Sequence, residues 1–210
     1  MRITVFGAAG GVGSRVVTEA LARGHEVTAV VRRPGHRHDG ARVRTGDAAD
    51  AGEVARLSAG QDVVISATRP APGREHELPA TAEALLTGVA RTAARLLIVG
   101  GAATLTVPGT DGRTVVDDPD FPADLRPIAQ ACAEQHAVCR ATGTDVDWVY
   151  LSPPALLEPG ERTGAYRTGT DTLLVDGSGR SAISMEDLAI ALLDEAERPA
   201  YHRTRFTVAW

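Results

Sequence analysis

The sequence contains no lysine: all 22 of its basic residues are arginine. Chemistry that depends on a lysine, such as Schiff-base formation or a lysine-assisted acid, is therefore excluded. Cysteine is scarce too, and two residues, Cys132 and Cys139, cannot make a disulfide scaffold. No apolar run approaches the ~18 residues that a membrane span requires. Positive charge is not in excess either. The net charge of −5 argues against a general attraction to nucleic acid. The first strand starts at residue 2, which leaves no signal peptide ahead of it. These absences predict a soluble, cytoplasmic protein with neither a membrane nor a nucleic acid as partner. What is present is a 210-residue chain, 43% hydrophobic, long enough for one α/β domain with its own core.

The stretch Ile3–Val17 reads ITVFGAAGGVGSRVV, with glycines at 7, 10, 11 and 13. RITVF reads as a buried parallel strand. GSRVVTEALARG carries apolar residues at Val16, Val17, Ala20 and Leu21 and ends on Gly24, and HEVTAVVRR follows as a second strand. An ordinary tight turn would also use glycine. A complete strand–turn–helix–strand unit instead matches the phosphate cradle of a dinucleotide site. Gly7 allows the sharp turn, Gly10 lets backbone N–H groups approach a pyrophosphate, and Gly13 lets helix and strand pack closely. The helix start favours an anion.

Strands then alternate with helices. Strands are expected at 41–47, 61–68, 95–105 and 145–154, and helices at 50–60, 80–93 and about 123–142. A Pro/Gly-rich loop covers 69–79. Beyond residue 154 come short strands around a turn at Asp176–Gly179, a helix at 185–199 and a last strand, TRFTVAW. The pattern predicts a Rossmann-like doubly wound parallel sheet with a small C-terminal substrate cap. It forms one unit over 1–210, with the core at about 1–154 and the cap, helix and last strand at about 155–210.

The second strand ends in Arg32-Arg33, and 32 − 13 = 19 residues separate Arg32 from the last glycine, near the ~20 expected for the ribose reader. No acid stands there for a 2′-hydroxyl. Arg37, His36 and His38 add positive character, so NADP(H) is the expected cofactor; a solvated basic loop is the plainer alternative. Asp47 can accept from an adenine amino group beside the Ala48 backbone, or serve as an N-cap.

Several stretches resemble one family: GAAGGVG, VVRRP, TGD, IVGGAATL, DFPADLRP, LSPPALLEPGERTGAYR and ISMEDLAIALLDEAERP. They are similar to atypical short-chain dehydrogenase/reductase proteins of the NADH-flavin reductase and biliverdin-IXβ (flavin) reductase type. The resemblance spans essentially the whole chain. It implies an NADP-binding fold and hydride transfer to flavins, quinones or related conjugated acceptors, in a monomer or homodimer. Carried over by position, it implies cofactor contacts at Gly7, Ala9, Gly10, Gly11, Val12 and Gly13, at Arg32, Arg33 and Arg37, and at Asp47 and Ala48. It also implies contacts at Ala67, Thr68, Arg69, Pro153 and Pro154. The chain departs from the family's Tyr-x-x-x-Lys-x-x-x-Glu helix: anchored on Glu134, the offsets hold Gln130 and Arg126. Neither can serve as an acid. Thr104 is the hydroxyl available after the fifth strand, and His136 is a candidate for the substrate pocket or a packed helix residue.

Cys132, His136 and Cys139 share one helical face at i, i+4 and i+7. No Cys-x-x-Cys spacing accompanies them, and apolar cysteines facing the sheet explain them better than a metal. Two further readings remain open at this stage: a redox-sensing regulator that binds NADP without turnover, and a tailoring reductase of one biosynthetic metabolite.

Overall fold

The structure is a computed structural model that describes residues 1–210. Its first unit is the expected one. Strand β1 (Arg2–Phe6), helix α1 (Gly11–Ala22) and strand β2 (Glu26–Val31) follow in order, with β1 and β2 parallel. Strand β3 (Arg42–Thr45), helix α2 (Ala51–Ser58), strand β4 (Val63–Ser66), helix α3 (Leu78–Val89) and strand β5 (Arg95–Val99) continue the alternation. Helix α4 (Arg126–Ala141) leads to strand β6 (Trp148–Ser152). The C-terminal part supplies strands β7 (Leu156–Glu158), β8 (Arg167–Gly169) and β9 (Ala182–Ser184), helix α5 (Met185–Glu197) and strand β10 (Thr204–Ala209).

The main sheet runs β3-β2-β1-β4-β5-β6-β10-β8, parallel throughout except for the edge strand β8. Strands β4 and β6 are buried along their whole length, as apolar runs covered on both faces must be. Helices α1 and α5 pack together on one face, over a core that includes Ile3, Val5, Val17, Leu188 and Phe206. Helices α2, α3 and α4 cover the other, over Phe6, Val64, Leu85, Ile98 and Tyr150. Local chemistry fixes the helix starts. Asp50 caps α2 by accepting from the Gly52 and Glu53 N–H groups, and Ser184 caps α5 through the Asp187 N–H.

The differences from expectation have physical causes. The fifth strand stops at Val99 rather than 105, because Gly100 and Gly101 begin a turn that passes over Tyr150. The fourth strand is shorter than 61–68 and leaves Ala67–Arg69 as a loop at its carboxyl end. Asp47 does not cap α2; Asp50 does, while Asp47 Oδ1 accepts from the Ala49 N–H at 2.9 Å. The segment expected as a small cap is also part of the sheet. β10 lies parallel to β6, β8 adds to β10, and β7 and β9 form a separate parallel pair.

Candidate functional site

The carboxyl ends of the parallel strands meet at one edge of the sheet, where ligands of such folds sit. There β1 turns through Gly7–Gly10 into α1. Gly7 has φ of 78°, and a Cβ on it would stand 2.4 Å from the Ala67 carbonyl oxygen. A Cβ on Gly13 would stand 2.2 Å from the Gly7 carbonyl oxygen. Both glycines are therefore required by the packing of turn, helix and β4. Gly10 differs: its φ is −81°, and a Cβ there would come no closer than 3.3 Å to any atom. A side chain at Gly10 asks the Gly7 carbonyl to give by only a few tenths of an ångström, far less than at Gly7 or Gly13, and its absence keeps the space over the turn clear.

The Gly10 N–H donates to Gly7 O at 2.9 Å, and Ser14 N–H closes the first helical turn on Gly10 O at 2.9 Å. No side chain caps α1. The N–H groups ahead of Ser14 and the positive end of the helix dipole are thus presented together, the donor set that a pyrophosphate needs. On this geometry a dinucleotide fits the turn.

Around it lie the other residues named from the sequence. Arg32, Arg33 and Arg37 follow β2, exposed and without an ion pair or hydrogen bond within the chain. Asp47 and Ala48 follow β3, and Ala67–Arg69 follow β4, with Ser66 Oγ and Thr68 Oγ1 at 3.1 Å. Pro153 and Pro154 follow β6 and are buried. Met185, at the start of α5, was not expected here: its Sδ would lie 2.9 Å from a Cβ on Gly11. The C-terminal segment is anchored to α1 close by. Arg15 donates to Glu186 at 2.5 Å, Glu186 accepts from the Gly160 N–H, and Arg162 forks onto Glu19.

Thr104 is held by a third residue, Arg205 of β10, whose charge also acts on His136. Arg205 is 8% exposed, pairs with Asp171, and donates to Thr104 Oγ1 at 2.6 Å. His136 is a packed residue, its ring 4.7 Å from that of Tyr150. Burial, with Arg205 and Arg140 adding to it, holds its imidazole down at about 4. The ring is therefore neutral near pH 7. Arg126, at the offset where relatives carry an acid, donates to the Val116 carbonyl and lies over the Phe121 ring. Burial pushes the Cys132 thiol up to about 11.

Sequence reasoning missed the support under the β5 turn. Tyr150, 1% exposed, places Oη 2.9 Å from Cys132 O, 3.1 Å from Gln135 Oε1 and 3.3 Å from the Gly101 N–H. The phenol has one proton, given to Cys132 O. With its amide turned over, Gln135 donates to Tyr150 Oη, which pairs an otherwise orphaned buried Nε2. A Cβ on Gly100 would fall 1.9 Å from Tyr150 Cζ. The paired glycines at 100 and 101 were the signal that could have revealed this close approach.

Away from the turn, a cleft of about 690 Å³ opens beside β8 and β10, lined by residues such as Thr163, Tyr166, Arg167 and Trp210. Tyr166 donates to Asp194 at 2.6 Å, which ties it to α5. None of the residues predicted for the site lines this cleft.

Comparison with known proteins agrees with the turn. Residues 7–199 match the NAD(P)H-binding family. The uncharacterized protein YwnB of Bacillus subtilis (strain 168) is 38% identical over 99% of this chain and 98% of its own length. A solved structure of a candidate exported protein from Burkholderia pseudomallei is 40% identical with a TM-score of 0.90, and both chains are covered completely. A candidate NADH-flavin reductase of Streptococcus pneumoniae TIGR4, 31% identical, covers 100% of this chain and 99% of its own, also with a TM-score of 0.90. The chain, with its glycine turn and doubly wound sheet, belongs to the NAD(P)H-binding family.

Proposed function

We propose that the protein is an NADP(H)-dependent reductase that passes hydride directly to a flavin, a quinone or a similar conjugated acceptor. The observation that carries this reading is the open glycine turn flanked by the three unpaired arginines after β2. Bound there, the cofactor would supply a hydride from its nicotinamide ring. The chain's own part is to bind and orient. The N–H groups at the start of α1 hold the pyrophosphate, Arg32, Arg33 and Arg37 take the 2′-phosphate, and Asp47 and Ala48 border the adenine. Ala67–Arg69, Pro153 and Pro154 border the reacting end.

No acid is assigned. The chain has no lysine, Arg126 is engaged by its own loop, and a neutral His136 holds no spare proton at pH 7. An electron-poor conjugated acceptor can take its proton from water, so proximity and orientation suffice. The name of the Streptococcus relative supports the same acceptor class.

The test is a screen of NADPH and NADH oxidation against flavins, quinones and enones, together with binding of each cofactor alone. NADPH should bind about ten- to a hundred-fold more tightly than NADH, the worth of charge-assisted bonds at ~1.5–3 kcal/mol. Arg32→Asp should narrow or invert that ratio. Equal affinities in the unmodified protein would overturn the NADP(H) assignment, and absence of turnover with every acceptor would point to a regulator instead.

A further inference from the structure

We propose that His38 is a positioning residue for cofactor choice: it pins the arginine-bearing loop onto the glycine turn and so prearranges the 2′-phosphate site. The inference rests on the NADP(H) reading above. The chain between β2 and β3 carries Arg32, Arg33 and Arg37, and every residue from 32 to 37 is exposed. None of the three guanidiniums is held by another side chain. A loop of this kind, left free, must be ordered when it closes on a phosphate, and that ordering weakens binding.

One side chain of the loop reaches back. His38 is half-buried, and its Nε2 lies 3.0 Å from the carbonyl oxygen of Ala8, in the middle of the glycine turn. A carbonyl only accepts, so His38 Nε2 is the donor of this bond. Both ends of this bond are themselves held by the backbone. Ala8 is fully buried and its N–H donates to Val30 O at 3.2 Å, while the His38 carbonyl accepts from the Ala41 N–H at 3.0 Å at the entrance to β3. His36 adds a ring 5.7 Å from that of His38. The result is a strut between the element that would hold the pyrophosphate and the segment that would hold the 2′-phosphate. Its spacing is set before any ligand arrives. A cofactor without the 2′-phosphate makes no use of the arginines and gains little from the strut. His38 therefore bears on the choice between cofactors more than on binding of the dinucleotide as such.

The experiment compares the full-length protein with His38→Phe, which keeps a ring but loses the donor, and His38→Gln, which restores an N–H at similar reach. NADPH and NADH affinities are titrated for each. Trypsin cleavage after Arg32 and Arg37 in the cofactor-free protein is followed by mass spectrometry. One hydrogen bond should be worth about three- to ten-fold. His38→Phe should weaken NADPH binding by that factor, leave NADH within about two-fold, and speed cleavage in the loop by a similar factor, while His38→Gln restores all three. Retention of the wild-type NADPH preference by His38→Phe overturns the inference and leaves the NADP(H) reading standing. Equal binding of the two cofactors by the wild type overturns that reading and the specificity role together. Unchanged loop cleavage in His38→Phe overturns the strut itself, whichever cofactor is preferred.

Discussion

Two glycines three residues apart should fail in opposite ways when each receives a single methyl group. In Gly13→Ala the new Cβ stands 2.2 Å from Gly7 O and 2.7 Å from Gly7 C, both backbone atoms that cannot swing aside. Helix α1 must move off β1, an overpacking that costs about 1–3 kcal/mol. For a chain of this length that lowers Tm by about 3–10 °C. In Gly10→Ala the backbone φ of −81° suits alanine and the nearest atom, Gly7 O at 3.3 Å, need give by only a few tenths of an ångström, so the cost in stability should stay below about 1 kcal/mol. The methyl instead occupies the space over the turn, where backbone N–H groups would approach a pyrophosphate. Loss of one charge-assisted bond at ~1.5–3 kcal/mol weakens NADPH about ten- to a hundred-fold. Urea unfolding reads the first effect as a shifted midpoint at unchanged slope, and fluorescence titration of NADPH reads the second. If Gly10→Ala binds NADPH as the wild type does, the turn is not the phosphate cradle and the argument fails. A Gly13→Ala variant of wild-type stability would refute the packing argument instead.

Single replacement of Thr104, His136 or Tyr166 should lower kcat with a flavin by less than ~10²-fold, and kcat should stay nearly flat from about pH 6 to 8, because no positioned acid is at work; loss of turnover with intact NADPH binding would reveal a missed one. His136, held at about 4 in the fold against an ordinary value near 6.5, takes up its proton more readily when unfolded. Its contribution to stability is present above about pH 6.5 and is lost as the pH falls towards 4, so His136→Gln should flatten the decline of the urea midpoint over that window. Tyr150→Phe leaves the Cys132 carbonyl and the Gly101 N–H without their partner and should cost about 1–3 kcal/mol in urea unfolding; an unchanged midpoint would show that the phenol is not what holds the β5 turn.

The parts of this fold legible in the sequence are those with local causes. Gly7 and Gly13 announce the turn because only glycine meets its steric demands, and the buried strands β1, β4 and β6 read as apolar runs. Asp47 and Asp50 show the limit: both could cap α2, and the start of the helix at Ala51, three residues beyond where Asp47 would cap it, decides for Asp50. Arg205 was invisible as a neighbour of Thr104, since the two are 101 residues apart and meet only because β10 settles against β6. The fit of Tyr150 against Gly100 escaped for the same reason, being a contact between strands rather than along one. His38 counted as one more basic residue of its loop until its bond to Ala8 gave it a direction.

The place of β10 in the sheet sets an order of assembly. It lies between β6 and β8, although it follows β8 in the chain by more than a helix. β8 therefore has no strand to pair with until α5 has crossed and β10 has docked. Until then β6 presents an open edge, its buried apolar surface and unpaired backbone groups facing water. Parallel docking through a crossover is slow, because loop closure precedes the contacts that reward it. The last strand to join is thus the one that seals the interior, and a nascent chain halted before residue 204 would carry an adhesive edge in an otherwise nearly complete sheet.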